Sequence, residues 1–400
     1  MRAASKRTDP SERMLRALAA GHRPTHLLDV AFTGSGSEYF RIWVVNLLLL
    51  LVTLGLYYPW AKVRRLRYFY GSTRIDGQPL DFHGSPLKML RGHLLVGVLL
   101  VLYSVAGNFS PLAGLLAFLI VALIWPALLK ASMQFKLANT SWRGLRFRFT
   151  GSTADAYRAL WPMFLTGLLL VAGTLAVEGA GAAAPWQAEL LGGLVLASVL
   201  LLPWFWFRLK RYQHRNFAFG QLQTELRTNV RASYGIFVRA VGVMLLVLAS
   251  FAGLIVLAGG IGFAGLLASD PRQAMAAGLL LTVLALLGLA LALQIVVGPY
   301  LACRMQNLLW SRTGNRDMRL RSQLRLPPWL ALHLKNWLLI VLTLGLYWPY
   351  AAIATARMRL QAVQVVMRVD PSDLVESTRA AQGDAAGEAA GDLLGLDLGL

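Results

Sequence analysis

Long apolar runs alternate with short, polar, mostly basic stretches along the chain. The runs fall near residues 39–60, 91–108, 111–130, 158–177, 188–208, 234–262, 274–299 and 336–355. About 20 apolar residues cross a bilayer as a helix, and a spanning segment must satisfy its own backbone hydrogen bonds. The pattern predicts an all-α polytopic membrane protein with about six full transmembrane helices. Between runs the period shifts towards two, in QPLDFHGS (78–85), LRFRFTGS (145–152), QLQTEL (221–226) and MRLRSQL (318–324). With Asp76-Gly77 and Arg143-Gly144 as turns, these stretches predict short cytoplasmic β-hairpins. Pro59, Pro126, Pro203 and Pro299 each stand 14 residues ahead of a strand start, at Thr73, Thr140, Phe217 and Thr313. With a strand at 28–33, the hairpins either share one sheet or lie as separate amphipathic loops on the headgroups.

The first and last runs are copies of each other. Asn46–Ala61 (NLLLLLVTLGLYYPWA) aligns without a gap to Asn336–Ala351 (NWLLIVLTLGLYWPYA) at an offset of 290. Leucines match by chance; an Asn, a Thr-Leu-Gly-Leu-Tyr block and a Pro in one register mark a repeat. Both copies have basic residues on both sides, which fits re-entrant elements breaking at Thr53-Leu54-Gly55 and Thr343-Leu344-Gly345. Two ordinary spans are the alternative, since 19 or 20 apolar residues also reach across.

Charge sets the orientation. Loops 61–91, 130–158, 208–239 and 304–335 hold 27 Lys and Arg, whereas the loops between them hold only Arg272. Basic residues in short loops stay inside, so the four basic loops face the cytoplasm. The net charge of +20 then reads as topology and not as a nucleic-acid surface. Residues 1–31 form a basic mobile tail, 32–368 the membrane domain, and 369–400, with seven acids and one Arg, an acidic disordered tail. Cys303 is the only cysteine, and the six histidines fall in no metal-ligand spacing. No catalytic set, metal site or cofactor fingerprint stands in the sequence, so an enzyme is not expected.

FTGSGSEYFRIWVVN (32–46), TLGLYYPWAKVRRLRYFYGST (53–73), NTSWRGLRFRFTG (139–151) and TLGLYWPYA (343–351) together resemble the YjgN-like family of bacterial inner-membrane proteins. The resemblance covers roughly residues 32–360 and implies an inner-membrane location and a multi-pass fold. It brings no established activity, and the acidic tail looks like an addition to the family pattern.

Two sets of residues are candidates for binding. Asn46, Thr53 and Gly55 with Asn336, Thr343 and Gly345 would line a shared pocket for a neutral or weakly polar ligand if the end elements break and pack together. The opposing reading makes the Asn side chains helix–helix hydrogen bonds and the glycines packing notches. Arg64, Arg65 and Arg67 with Arg208, Lys210 and Arg211 would hold anionic phospholipid headgroups; charge bias explains them equally well. Tyr57, Tyr58, Trp60, Trp204 and Trp206 read as interfacial anchors. The expected function is a transporter or permease-like protein for a small ligand. The alternative is a non-transporting protein that organises lipid or partner proteins through its basic cytoplasmic face.

Overall fold

The computed structural model describes residues 25–179, 185–266 and 271–381. Residues 1–24 of the basic tail and 382–400 of the acidic tail lie outside them. The chain opens with strand β1 (His26–Phe32) and a short helix pair, α1 (Gly36–Val52) and α2 (Tyr58–Gly71). A hairpin follows, β2 (Thr73–Ile75) and β3 (Gln78–Phe82), then a long pair, α3 (Pro86–Phe109) and α4 (Pro111–Ala138). The unit recurs as β4 (Thr140–Trp142), β5 (Leu145–Phe149), α5 (Thr153–Gly179) and α6 (Pro185–Arg215). Next come β6 (Phe217–Phe219), β7 (Leu222–Gln223), β8 (Glu225–Leu226), α7 (Val230–Leu266) and α8 (Pro271–Ala292). A π-helical turn, Leu293–Val297, carries α8 into α9 (Gly298–Ser311). The last unit is β9 (Thr313–Gly314), β10 (Met318–Ser322), the short pair α10 (Leu326–Leu342) and α11 (Trp348–Gln361), and β11 (Val363–Met367). A final helix, α12, covers 371–381.

Six helical stretches among the described residues are long and apolar enough to span a bilayer: 86–109, 112–138, 153–177, 186–215, 230–257 and 275–311. They are the three long pairs. Their apolar side chains remain largely exposed, as expected where lipid is the solvent. The short pairs differ. At 17 and 14 residues, α1 and α2 are about 25 and 21 Å long, less than the roughly 30 Å hydrocarbon core. Both ends of each short pair join strands.

The strands do not stay separate. They form one 11-stranded sheet, ordered β7-β6-β5-β4-β3-β2-β1-β11-β10-β9-β8, with every pairing antiparallel. The edge strands β7 and β8 are separated only by Thr224, so one kinked segment pairs with β6 on one side and β9 on the other and the sheet comes back on itself. The all-α expectation is thus too narrow: the hairpins join into a near-closed barrel because each outgoing strand finds its neighbour in the next unit. Five equivalent backbone bonds fasten these junctions: Thr33 N–H to Ser72 O at 2.9 Å, His83 to Asn139 at 2.8 Å, Thr150 to Asn216 at 3.0 Å, Arg227 to Arg312 at 2.7 Å and Gln323 to Ala362 at 2.9 Å. The proline rule has a fifth member, since Pro349 stands 14 residues before Val363 at the start of β11. All five prolines are buried. Asp76-Gly77 and Arg143-Gly144 are turns with positive φ at both residues (52° and 72°, 51° and 79°), the geometry that suits two-residue hairpins.

Leu28, Val30, Leu80, Trp142, Leu145, Phe219, Leu222, Val363, Val365 and Met367 fill the barrel. Tyr70, Trp310 and Leu360, from the ends of α2, α9 and α11, pack on this core from the helix side. Helix α12 packs on it from the turn side through Leu374 and Val375. Arg143 Nη1 donates to Ser372 Oγ at 3.0 Å, and Arg379 Nη2 donates to Arg143 O at 2.9 Å. A Cβ on Gly220 would come within 2.6 Å of Thr378 Oγ1. So the stretch expected to open a disordered tail at 369 instead starts with a docked helix. Asp370 caps it, its Oδ1 accepting the Ser372 N–H at 2.7 Å, and Leu374, Val375 and Thr378 form its buried stripe.

Candidate ligand-binding site

The two Thr-Leu-Gly segments are helix breaks. Residues 53–57 and 343–347 are turns in which Leu54 and Leu344 take φ of 49° and 48°, and Gly55 and Gly345 take 89° and 93°. Each turn satisfies its own backbone. Thr53 N–H reaches Leu49 O (3.0 Å), Leu54 reaches Leu51 (3.3 Å), Gly55 reaches Leu50 (2.8 Å), Leu56 reaches Thr53 (3.1 Å) and Tyr58 reaches Gly55 (3.0 Å). The remaining amide, Tyr57 N–H, donates to Thr53 Oγ1 at 3.0 Å, and that hydroxyl donates to Leu49 O at 2.7 Å. The copy repeats the hydroxyl bonds, with Tyr347 N–H to Thr343 Oγ1 at 2.9 Å and Thr343 Oγ1 to Leu339 O at 2.6 Å. Leu54 and Leu344, 94% and 95% exposed, stand at the tips. Nothing lies within 4 Å of a Cβ placed on Gly55 or Gly345, so these glycines serve the turn and not a close helix contact.

The end elements do touch: α11 packs along α1, with Phe40 and Tyr350 rings 5.8 Å apart. Asn46 and Asn336 are buried, at 7% and 3% exposure. Asn336 Nδ2 donates to Thr355 Oγ1 on α11 at 3.4 Å. The Oδ1 atoms of both Asn side chains have no hydrogen-bond partner among the described residues, and a buried amide oxygen left unpaired is costly. Glu38, at the start of α1, lies 2.9 Å from the Tyr68 hydroxyl, which ties it to α2.

Among the basic candidates Arg64, Arg65, Arg67 and Arg211 are exposed. Arg65 lies over the Phe69 ring at 5.6 Å and Arg208 over Trp204 at 4.9 Å. Arg208 also donates through Nη2 to Arg158 O on α5. Lys210 points elsewhere: it donates to Gln213 Oε1 at 3.0 Å, sits 5.9 Å over Trp206, and lies within electrostatic reach of Lys136. Lys136 acts also on Lys62, which neighbours Arg65. Lys62 and Lys136 belong to neither set of sequence candidates. The available signal was their spacing from the shared prolines, 3 and 10 residues, which puts them on one helical face. Among the described residues no three His, Cys, Asp or Glu side chains converge as metal ligands.

Comparison with known proteins gives a family. Residues 27–393 match the family described as "Bacterial protein of unknown function (DUF898)". The chain is 33% identical over 150 residues to the inner membrane protein YjgN of Salmonella typhimurium, 37% of either chain. It is 29% identical over 157 residues to the inner membrane protein YjgN of Escherichia coli K12, 38% of this chain and 37% of that one. These alignments span little more than a third of the curated relatives' length. No solved structure matches the chain.

Proposed function

This chain belongs to the DUF898 family, and on that premise we propose that it is a permease-like protein of the inner membrane, with a ligand path at the centre of its helix ring. Its relatives are named inner membrane proteins, and its own six apolar helices make it multi-pass. One observation carries the permease reading. Counting α8, the π turn and α9 as one rod, ten rods follow each other round a ring, each packed on its chain neighbours, and α11 closes onto α1. A ring of paired, repeated helices is the kind of scaffold on which transporters place a site between repeats. In this reading the sheet lies in the cytoplasm, beneath the basic ends of the helices, and the two short pairs dip into the bilayer and return. The self-satisfied turns support the dip, since lipid tolerates no unpaired backbone. Asn46 and Asn336 are the residues of the end elements that we assign to ligand. Thr53, Gly55, Thr343 and Gly345 we assign to the turns.

Reporter fusions at residues 30 and 365 test the topology. Cytoplasmic signals at both are expected, and a periplasmic signal at either refutes the dip for that element. Gln213→Cys in a Cys303→Ser background tests the path: a membrane-impermeant thiol reagent should label it in intact membranes. A Gln213→Cys variant that is labelled from neither side removes the path.

A second reading, organisation of anionic lipid by the outer basic face, is favoured by the exposure of Arg64, Arg67 and Arg211. It predicts lipid binding that falls when these three are neutralised, with no labelling at position 213.

A further inference from the structure

The junction bonds of Thr150, Arg227 and Gln323 align the seams between the long returning rods and the helices that follow them. Seven residues after the first two stand Tyr157 and Tyr234, near the starts of α5 and α7. Each reaches back across its seam. Tyr157 Oη donates to Leu123 O on α4 at 2.5 Å, and Tyr234 Oη to Leu200 O on α6 at 3.0 Å. Leu123 and Leu200 lie three residues before Pro126 and Pro203. A proline takes an amide out of the helix and leaves nearby carbonyls in need of other donors, so the two tyrosines act as clasps. Six residues after the junctions stand Ala156 and Ser233, both at 0% exposure. Their small side chains let the helices close beside the tyrosine rings.

The third long rod departs from this pattern at both positions. Position six after Gln323 is Trp329 and position seven is Leu330. The Trp329 indole N–H donates to Pro299 O at 2.9 Å, and its ring is buried in the seam as a wedge. Leu330 has no donor for Val296 O, the carbonyl three residues before Pro299. There the rod forms the π turn Leu293–Val297, in which carbonyls bond five residues on and not four. Beyond the wedge a groove of about 420 Å³ opens between Leu291, Ile295 and Val296 on the rod and Leu330, Ala331 and Leu334 on α10. In the two seams with a short returning helix, the residue three before the proline, Leu56 or Leu346, lies in the turn itself.

We propose that this groove binds one acyl chain of a bilayer phospholipid, which fills the place that Tyr157 and Tyr234 fill in the other two seams. The lining side chains are hydrocarbon throughout, so a polar ligand would lose its hydration with nothing in exchange. An apolar cavity of about 150 Å³ already stays dry and takes up benzene; this one is close to three times that size. From Gly288 to Val296 it runs about 12 Å along the rod, a shape for an extended chain. It lies within the apolar span 275–311, just beyond Pro299 on the side away from the sheet. Trp125 and Trp204, next to Pro126 and Pro203, mark the proline level as the membrane interface, where such rings collect. A chain entering there leaves its headgroup in water, and the bilayer supplies that chain at the mouth of the groove. The inference needs only the membrane location and stands apart from the permease reading.

The test uses the full chain in phosphatidylcholine vesicles that contain a phosphatidylcholine with a photoreactive diazirine on one acyl chain. Mass spectrometry of the peptides locates the adducts. Wild type should concentrate them on 288–296 and 330–334, about ten-fold above equally exposed stretches of the other spans. Leu330→Tyr rebuilds the clasp. It should cut those adducts about ten-fold while raising the unfolding midpoint in neutral detergent. Leu284→Tyr, at an exposed position of α8 outside the groove, should change neither. If Leu330→Tyr does not fold, Ala331→Leu fills the same space and should cut the adducts alike. An even spread of adducts over all six spans would leave only ordinary boundary lipid and overturn the site. Undiminished adducts in a folded groove-filling variant would overturn it too. Leu334→Cys in a Cys303→Ser background checks for a protein occupant: no cross-linked dimer is expected, and disulfide-linked dimers would put a second copy in the groove in place of the lipid.

Discussion

The hydroxyl of Thr53 accepts the backbone N–H of Tyr57 at 3.0 Å and so completes a turn that leaves none of its amides unpaired. Thr53→Val keeps the shape and removes the acceptor, stranding that N–H among leucines. We expect the variant to lose about 1–3 kcal/mol of stability, seen as a lower unfolding midpoint in detergent, with Thr53→Ser close to wild type. Thr343→Val should behave alike, since Thr343 holds Tyr347 N–H at 2.9 Å.

Helix α12 should be a structural part of the barrel. Leu374, 5% exposed, packs into its core. Leu374→Ala is expected to cost about 2–5 kcal/mol in the cohesion of that end. Limited proteolysis should then cut within 371–381 well before the wild-type chain is cut there. Equal cleavage rates would contradict the packing.

Asp370 makes the docking of α12 acid-sensitive. Its pKa is held below the ordinary carboxylate value, first by the backbone N–H of Ser372. A group depressed in the folded state stabilises above its unfolded pKa and loses that contribution as pH falls through the folded one. Release of α12, followed by protease sensitivity, should therefore increase only below about pH 4. Asp370→Asn should flatten this dependence.

Replacing Asn46 and Asn336 by Leu exchanges unpaired amide oxygens for apolar groups of similar size. We expect a loss of no more than about 0.6 kcal/mol at each site, with the fold intact by circular dichroism. A collapse of the fold would instead mark both residues as essential helix–helix bonds.

Much of the architecture is legible in the chain because membranes read length and polarity. Runs of about 20 apolar residues give the long pairs, and Asp76-Gly77 gives its hairpin. Four of the five prolines declare the unit through a following hairpin stretch. The fifth is hidden, because Pro349 leads to Val363, and its return strand is β1, more than 300 residues earlier in sequence. Ring closure is likewise illegible, since a strand does not name its partner. Helix α12 hides in an acidic, Ala- and Gly-rich composition, where only Leu374, Val375 and Thr378 betray a buried stripe.

One hairpin of the sheet has no turn. β11 and β1 pair antiparallel, from His26 opposite Met367 to Asp29 opposite Gln364, while Val30 to Phe32 pair with β2. Half of the first strand is therefore an open edge until the last strand of the sheet has been synthesised. Such an edge invites wrong partners, and a contact this distant in sequence is slow to form. A nascent protein stopped before Val363 carries an unzipped seam, and every product truncated there presents the same exposed strand. Sealing that seam amounts to an inspection of length: only a chain read through to Met367 can close, and a protease that recognises loose strand edges would sort finished molecules from unfinished ones without consulting any ligand.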